Sequence, residues 1–276
     1  MKAALVQLAP WHGMLSCFLQ AAPALTVRPA ALSELRRQHY TVCEDFAPPS
    51  LVDAIVNDMA MLRDEGCFEC GEVGEDDSAA LEESVRVCES CYLYPAEAAE
   101  ALAGCGDLAA RKQLYAALDG VRDALCDHRP LEPSRTEGLY IYYPHGGFYR
   151  THLDAAPKGA GYSAEHRLFS YLLYLNKGWR EEDGGCLRLF TDGTNGHATS
   201  ASHIDVEPRA GTLVVFRSDK VAHEVLATSA PRLAVAGWWH AQPRFARVRR
   251  LFRRVPEAWT RLLRRLSHRF GAGEKG

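Results

Sequence analysis

No apolar run in this 276-residue chain approaches the roughly 20 residues that a membrane-spanning helix needs. The cysteines do not form the framework of a small secreted protein. There are nine, an odd number, and most are read as reduced thiols of an intracellular protein, cytoplasmic or nuclear. A good secretory leader is missing too. The opening MKAALVQLAPWHGMLSCFLQAAPA has one Lys and several small residues, but Gln7, Pro10, Trp11 and His12 interrupt its apolar core. A cleaved targeting segment stays open as an alternative. Overall charge is small, −3, but unevenly spread. Residues 241–276 hold ten Arg and one Lys against Glu257 and Glu274, a net +9, which leaves −12 on residues 1–240. What is present in quantity is apolar residue, 47% of the chain, enough for a real core.

Three regions are expected: an N-terminal extension over 1–40, a main body over 41–244 with its chemical core at about 136–242, and a basic tail over 245–276. Ala31 to Gln38 reads as a short helix and His39 to Phe46 as a strand. Pro48-Pro49-Ser50 opens a clear helix with Ser50 as N-cap. Leu51, Val52, Ile55, Val56, Met59 and Leu62 follow at helical spacing, and Gly66 closes it. Ala96 to Ala103 and Leu108 to Cys126 read as further helices. From Gly138 the pattern changes to short, evenly spaced strands, as in an all-β sandwich or barrel. Arg167 to Leu175 is apolar on both faces and is expected inside a sheet. Cys186 to Phe190, Ser202 to Val206, Thr212 to Phe216, Ala222 to Ala227 and Arg232 to His240 complete the strands. The tail places Trp259, Leu262, Leu263, Leu266 and Phe270 on one helical face. It is expected to pack on the body with its Arg face in solvent; contact with an anionic membrane or an acidic partner is the sharper alternative. No nucleic-acid partner is expected.

Two motifs carry chemistry. Cys67-Phe-Glu-Cys70 and Cys88-Glu-Ser-Cys91 are two C-x-x-C pairs with the spacing of a four-thiolate zinc site. The competing reading is four small apolar thiols paired by chance. The stretch Gly138 to Asp154, GLYIYYPHGGFYRTHLD, reads as a strand, a turn and a second strand ending on His152-Leu153-Asp154. Residues i and i+2 of a strand share a face, so His152 and Asp154 project together. A 2-His-1-carboxylate triad on ferrous iron needs such a pair and one more histidine. His223, 69 residues after Asp154, has room to return across a sandwich. The rival pair His203 and Asp205 lies too close to His223 for that, and His203, like His145, His166, His197 and His240, is read as surface or structural. Arg232 shares a strand face with Ala234, Ala236 and Trp238. A guanidinium beside two alanines leaves space for a small anion, and a buried Arg needs a counter-charge. An ordinary ion pair to a distant acid is the plainer account.

These pieces, YYPHGGFYRTHLD, YLLYLNKGW, GGCLRLF, VEPRAGTLVVFRSD, AHEV and PRLAVAGWW, resemble in order and spacing the Fe(II)- and 2-oxoglutarate-dependent dioxygenases, and among them the prolyl 4-hydroxylases of the hypoxia-factor type. The resemblance implies a mainly β chain with α support: a double-stranded β-helix, jelly-roll-like core packed with N-terminal helices. It implies His152, Asp154 and His223 for iron, Arg232 and Tyr174 for the far carboxylate of 2-oxoglutarate, and Tyr143 near the iron and the near carboxylate. Leu172, Leu187 and Val225 would line the pocket and Trp238 flank its opening. Implied cofactors and cosubstrates are Fe(II), 2-oxoglutarate, O2 and L-ascorbate, with Zn as an addition if the cysteine pairs bind it. The implied reaction hydroxylates a prolyl residue of a peptide or protein, releasing succinate and CO2. Ala236 departs from the Thr that many relatives carry. Two alternatives stand beside this: a 2-oxoglutarate oxygenase for another side chain or a small molecule, and a non-catalytic zinc-containing β-sandwich binding module.

Overall fold

The computed structural model describes residues 27–72, 81–94, 102–126, 130–155, 166–191 and 202–242. The readings made for the N-terminal 26 residues, for most of Ala96 to Ala103 and for the basic tail lie outside these. Leu102 and Ala103 themselves sit in a turn.

Among the described residues, three α-helices and twelve strands follow one another: α1 (Pro29–Gln38), β1 (Tyr40–Cys43), α2 (Pro49–Asp64), β2 (Glu69–Cys70), β3 (Arg86–Val87), β4 (Glu89–Tyr94), α3 (Leu108–Cys126), β5 (Leu131–Tyr143), β6 (Phe148–His152), β7 (Arg167–Tyr174), β8 (Leu187–Phe190), β9 (His203–Val206), β10 (Leu213–Arg217), β11 (His223–Val225) and β12 (Arg232–Ala241). Seven strands form one antiparallel sheet in the order β1-β10-β7-β12-β5-β4-β2, and five form a second, β3-β6-β11-β8-β9. This is the expected double-stranded β-helix with helices against the larger sheet.

The period of two explains why several strands look apolar on both faces. On β7, Phe169, Tyr171 and Leu173 join the cluster shared with α1, α2 and α3, while Leu172 and Tyr174 face the smaller sheet. β10 divides the same way, with Leu213 and Val215 toward the helices and Val214 and Phe216 between the sheets. The first cluster anchors the helices. The second forms the walls of the site.

Two sequence expectations need correction here. Ser50 does not cap α2: the cap is Pro48, with no side-chain bond, and Ser50 lies in the first turn. Prolines suit that turn, whose amides have no intrahelical acceptor. The strand expected from Gly138 begins at Leu131, because β12 is long enough to pair with it as far as Ala241↔Leu131. Pro133, which has no amide to donate, falls where that register shifts. Gly66 ends α2 as expected. Its φ of +75° permits a Schellman close, with Cys67 N–H donating to Leu62 O at 2.9 Å and Gly66 N–H to Arg63 O at 3.0 Å.

One buried polar network ties the helices to the sheet. Asp58 of α2, fully buried, lies 3.4 Å from Arg111 Nε of α3. It also accepts from Tyr140 Oη of β5 at 2.8 Å and from the Asp107 amide. A buried carboxylate needs that many partners.

Candidate active site

β6 and β11 lie side by side in the smaller sheet, and His223 stands directly opposite His152. Between them and the larger sheet is a cavity of about 390 Å³. β6 ends at His152, so Asp154 lies just past the strand rather than on it. It still meets both imidazoles: His152 Nε2 is 3.4 Å from Asp154 Oδ1 and His223 Nε2 is 3.5 Å from Oδ2. One ligand atom from each of the three residues falls within 4.8 Å of the others.

Each group is prepared by its neighbours. His152 Nδ1 donates to the Arg150 carbonyl at 2.8 Å and His223 Nδ1 to the Val221 carbonyl at 3.2 Å. These bonds fix the tautomer that leaves both Nε2 lone pairs facing Asp154. Burial pulls the His223 pKa down to about 4; Asp154 opposes that and His152 reinforces it, so this ring is neutral at physiological pH. Burial pushes the Asp154 carboxyl up, but His223, His152 and Ser170 outweigh it and hold the group well below the usual carboxylate range. Ser170 Oγ donates to Asp154 Oδ2 at 2.6 Å and is itself 2.9 Å from Ser218 Oγ. Two imidazoles presenting Nε2 and an ionised carboxylate make a donor set that fits a facial triad for ferrous iron.

Arg232, the first residue of β12, is 2% exposed. Its Nε donates to the Gly185 carbonyl at 2.7 Å. Nη1 and Nη2 are buried without a hydrogen-bond partner, as is the Tyr174 hydroxyl. The guanidinium carbon lies 4.9 Å from the centre of the Tyr143 ring and 5.1 Å from that of Tyr174. The alternative of an ion pair to a distant acid has no support here: among the described residues no carboxylate pairs with Arg232. Orphaned donors of this kind are costly and fit an incoming carboxylate, which a guanidinium fork binds in bidentate fashion. Burial raises the pKa of both tyrosines, so their hydroxyls stay protonated and can donate.

Tyr143, Leu172, Leu187, Val225, Ala236 and Trp238 all line the cavity. The rival pair is excluded by position: His203 and Asp205 lie on the edge strand β9, His203 is exposed, and Asp205 is bonded to Arg188 through two 2.8 Å contacts.

The four-thiolate zinc site does not form. Cys88 packs in the inter-sheet cluster and accepts from Arg86 Nε at 3.0 Å, whereas Cys91 packs in the helix-side cluster. The chain passes from β3 of the smaller sheet to β4 of the larger at Cys88, which puts the two thiols of this pair in different layers. Cys70 is exposed, and Cys67 is half-buried beside the helix-side cluster. The four sulfurs therefore do not converge.

Sequence reasoning overlooked Ser170 and Ser218, which hold Asp154, and Tyr149, whose ring stacks on His152 at 3.7 Å between centroids and 25° between planes. Three residues apart, Tyr149 and His152 should face opposite ways. The register pairs His223 with His152 but Val225 with Tyr149, so β6 carries one extra residue, a bulge that brings both rings to one side. Ser170 was findable, since it shares the face of Leu172 and Tyr174.

Comparison with known proteins agrees with this geometry. Residues 138–240 match the model of the 2OG-Fe(II) oxygenase superfamily. The hypoxia-inducible factor prolyl hydroxylase of Caenorhabditis elegans is 34% identical over 103 residues, 37% of this chain and only 13% of that protein's length. The crystal structure of a Pseudomonas putida prolyl-4-hydroxylase is 30% identical and superposes with a TM-score of 0.61, over 78% of this chain and 98% of that one. A Trichoplax adhaerens prolyl hydroxylase, solved with a hypoxia-inducible factor peptide, shares the fold at a TM-score of 0.62 and 19% identity, over 76% of this chain and 87% of that one. The chain belongs to the 2OG-Fe(II) oxygenase superfamily and is of the prolyl-hydroxylase type.

Proposed function

We propose that this protein hydroxylates a prolyl residue of a peptide or protein, using Fe(II), 2-oxoglutarate and O2 and releasing succinate and CO2, with ascorbate keeping the iron reduced. The observation that carries the reading is the convergence of His152, Asp154 and His223 on one cavity, with the unpaired guanidinium of Arg232 further along the same strand face as Ala236.

In this reading His152, Asp154 and His223 hold the iron. Arg232 and Tyr174 hold the far carboxylate of 2-oxoglutarate, and Tyr143 stands by the near one. Bound iron and 2-oxoglutarate together supply the oxidising power that puts one atom of O2 into a C–H bond and the other into succinate. The chain's own part is orientation and exclusion of water. Ser170 and the backbone carbonyls of Arg150 and Val221 hold the three ligands in position. Leu172, Leu187 and Val225 keep the walls apolar. Tyr149, Arg167 and Trp238 border the space left for substrate, with Arg167 stacked 3.8 Å above the Trp238 ring. An aromatic rim suits the ring of a proline. The names of the Caenorhabditis elegans and Pseudomonas putida relatives support a prolyl substrate over another side chain or a small molecule.

The test is aerobic incubation with Fe(II), 2-oxoglutarate and ascorbate against proline-containing peptides, following succinate and peptide mass together. A gain of one oxygen on proline, absent with His152→Ala, supports the reading. Succinate without peptide oxidation rejects proline but keeps the oxygenase. No succinate from iron-loaded protein across the panel rejects both.

A further inference from the structure

Outside the cavity, the described residues bring together one other set of metal-ligating side chains, Glu65, Cys67 and Cys105. Glu65 caps the C-terminal end of α2, and Cys67 follows the Gly66 turn. Cys105 lies in the turn that leads into α3. One ligand atom from each lies within 4.8 Å of the other two. For comparison, a zinc ion bound at ordinary Zn–S and Zn–O distances in a tetrahedron sets its ligands roughly 3.5–3.8 Å apart. Small side-chain rotations bridge the difference.

The backbone around the three is held in place. Glu65 Oε2 accepts from the Gly106 amide at 3.0 Å, which leaves Oε1 free to turn toward the sulfurs. Arg111 donates to the Cys105 carbonyl, and the Cys105 amide donates to Leu102 O at 3.1 Å.

We infer that Glu65, Cys67 and Cys105 form a binding site for one soft divalent cation of the Zn2+ class, with water in the fourth position. Two thiolates select such an ion over hard cations and over ferrous iron, which the imidazole–carboxylate set suits better. The site differs from the four-thiolate expectation in using a cysteine outside both C-x-x-C pairs and a carboxylate. Its consequence follows from topology. The chain between Cys67 and Cys105 carries Glu72, Arg86 and Tyr92, all of which border the cavity. An ion bound at both ends closes that long loop and limits the freedom of its unfolded ensemble.

The experiment titrates Co2+ into the reduced, metal-free full-length chain and reads absorbance and thermal unfolding. Neither depends on turnover, so failure here leaves the oxygenase reading untouched. A thiolate-to-cobalt charge-transfer band is expected, with an intensity that corresponds to one thiolate-bound ion per chain; a His–Asp–His site, lacking sulfur, takes up its own Co2+ without contributing to it. The band should disappear in Cys67→Ser and in Cys105→Ser, persist in Cys70→Ser and Cys88→Ser, and be bleached by Zn2+. Zn2+ should raise the melting temperature of the parent chain by more than that of Cys105→Ser, in which only the His152, Asp154 and His223 set is left to bind it. Glu65→Gln keeps an acceptor for Gly106 and an intact fold, and should weaken Co2+ binding at least tenfold. The inference is overturned if folded, reduced protein gives no such band or if the band survives Cys105→Ser. Loss of the band in Cys70→Ser or Cys88→Ser also overturns it, in favour of a different cysteine set. So does a Cys67–Cys105 disulfide formed in air by a protein that, once reduced, gives no thiolate–cobalt band.

Discussion

Arg232 Nε is bonded to the Gly185 carbonyl at 2.7 Å, and this contact aims the rest of the guanidinium at space instead of at a protein partner. Gly185 has φ +71°, and a Cβ there would lie 2.9 Å from Arg232 Cδ and 3.1 Å from Thr228 Oγ1. Gly185→Ala is therefore both strained and obstructive. It should weaken 2-oxoglutarate binding without touching the three metal-site residues. Arg232→Ala removes a charge-assisted contact worth about 1.5–3 kcal/mol, so affinity should fall by roughly ten- to a hundredfold. Titration of metal-loaded protein with 2-oxoglutarate measures both. Full affinity in Arg232→Ala would remove that residue from the site.

Ser170 makes a different prediction. Its hydroxyl donates to Asp154 and meets Ser218 behind it, so Ser170→Ala leaves the carboxylate less firmly oriented. Residues that orient metal ligands typically change affinity by about 10–100-fold. Fe(II) or Mn(II) affinity should drop by that order, while 2-oxoglutarate affinity at saturating metal should change little. Equal loss of both would point to a general collapse of the site.

Much of this was legible in the chain. Strand alternation is a local rule, so Arg232, Ala234, Ala236 and Trp238 could be put on one face, and Arg167 to Leu175 inside a sheet, before any coordinates. His152 and His223 could be matched because the span between them allowed a return across a sandwich. What stayed hidden depended on irregularity or on distant partners. The β6 bulge that turns Tyr149 toward His152 is one extra residue with no mark in the sequence. The C-x-x-C pairs suggested a metal by spacing alone, yet the passage from β3 to β4 at Cys88 puts Cys88 and Cys91 in different layers. Nothing local marks Asp58 as buried, because its partners lie 49, 53 and 82 positions away.

That network is expected to be the most sensitive polar site in the fold. Removing one partner of a buried ion pair leaves the other charge uncompensated, at about 3–5 kcal/mol. Asp58→Ala should lower stability by that amount and shift the thermal midpoint by many degrees. Asp53, on the same helix, bonds Lys177 at 2.6 Å but is half exposed. Asp53→Ala should cost under about 1 kcal/mol. Denaturant unfolding of the two variants side by side decides the matter, and similar losses would contradict it.

Away from the metal site, Glu137 of β5 should contribute to acid sensitivity. Burial pushes this carboxyl up, but hydrogen bonds from His240 of β12 and Arg167 of β7, together with their charges, outweigh it and set the pKa below the ordinary glutamate value. Arg167 contributes two contacts, at 3.1 and 2.5 Å. A carboxyl whose folded pKa is depressed binds its proton more weakly in the native state than in the unfolded one. Its contribution is therefore complete above the unfolded value, about 4.3, and is lost as pH falls through the lower folded value. Glu137→Gln cannot ionise and lacks that contribution at every pH. The stability gap between the parent chain and Glu137→Gln should be widest near neutrality and narrow below about pH 4. Urea unfolding of both proteins across that range gives the gap directly; a gap that stays constant with pH would mean that Glu137 acts by packing rather than by charge.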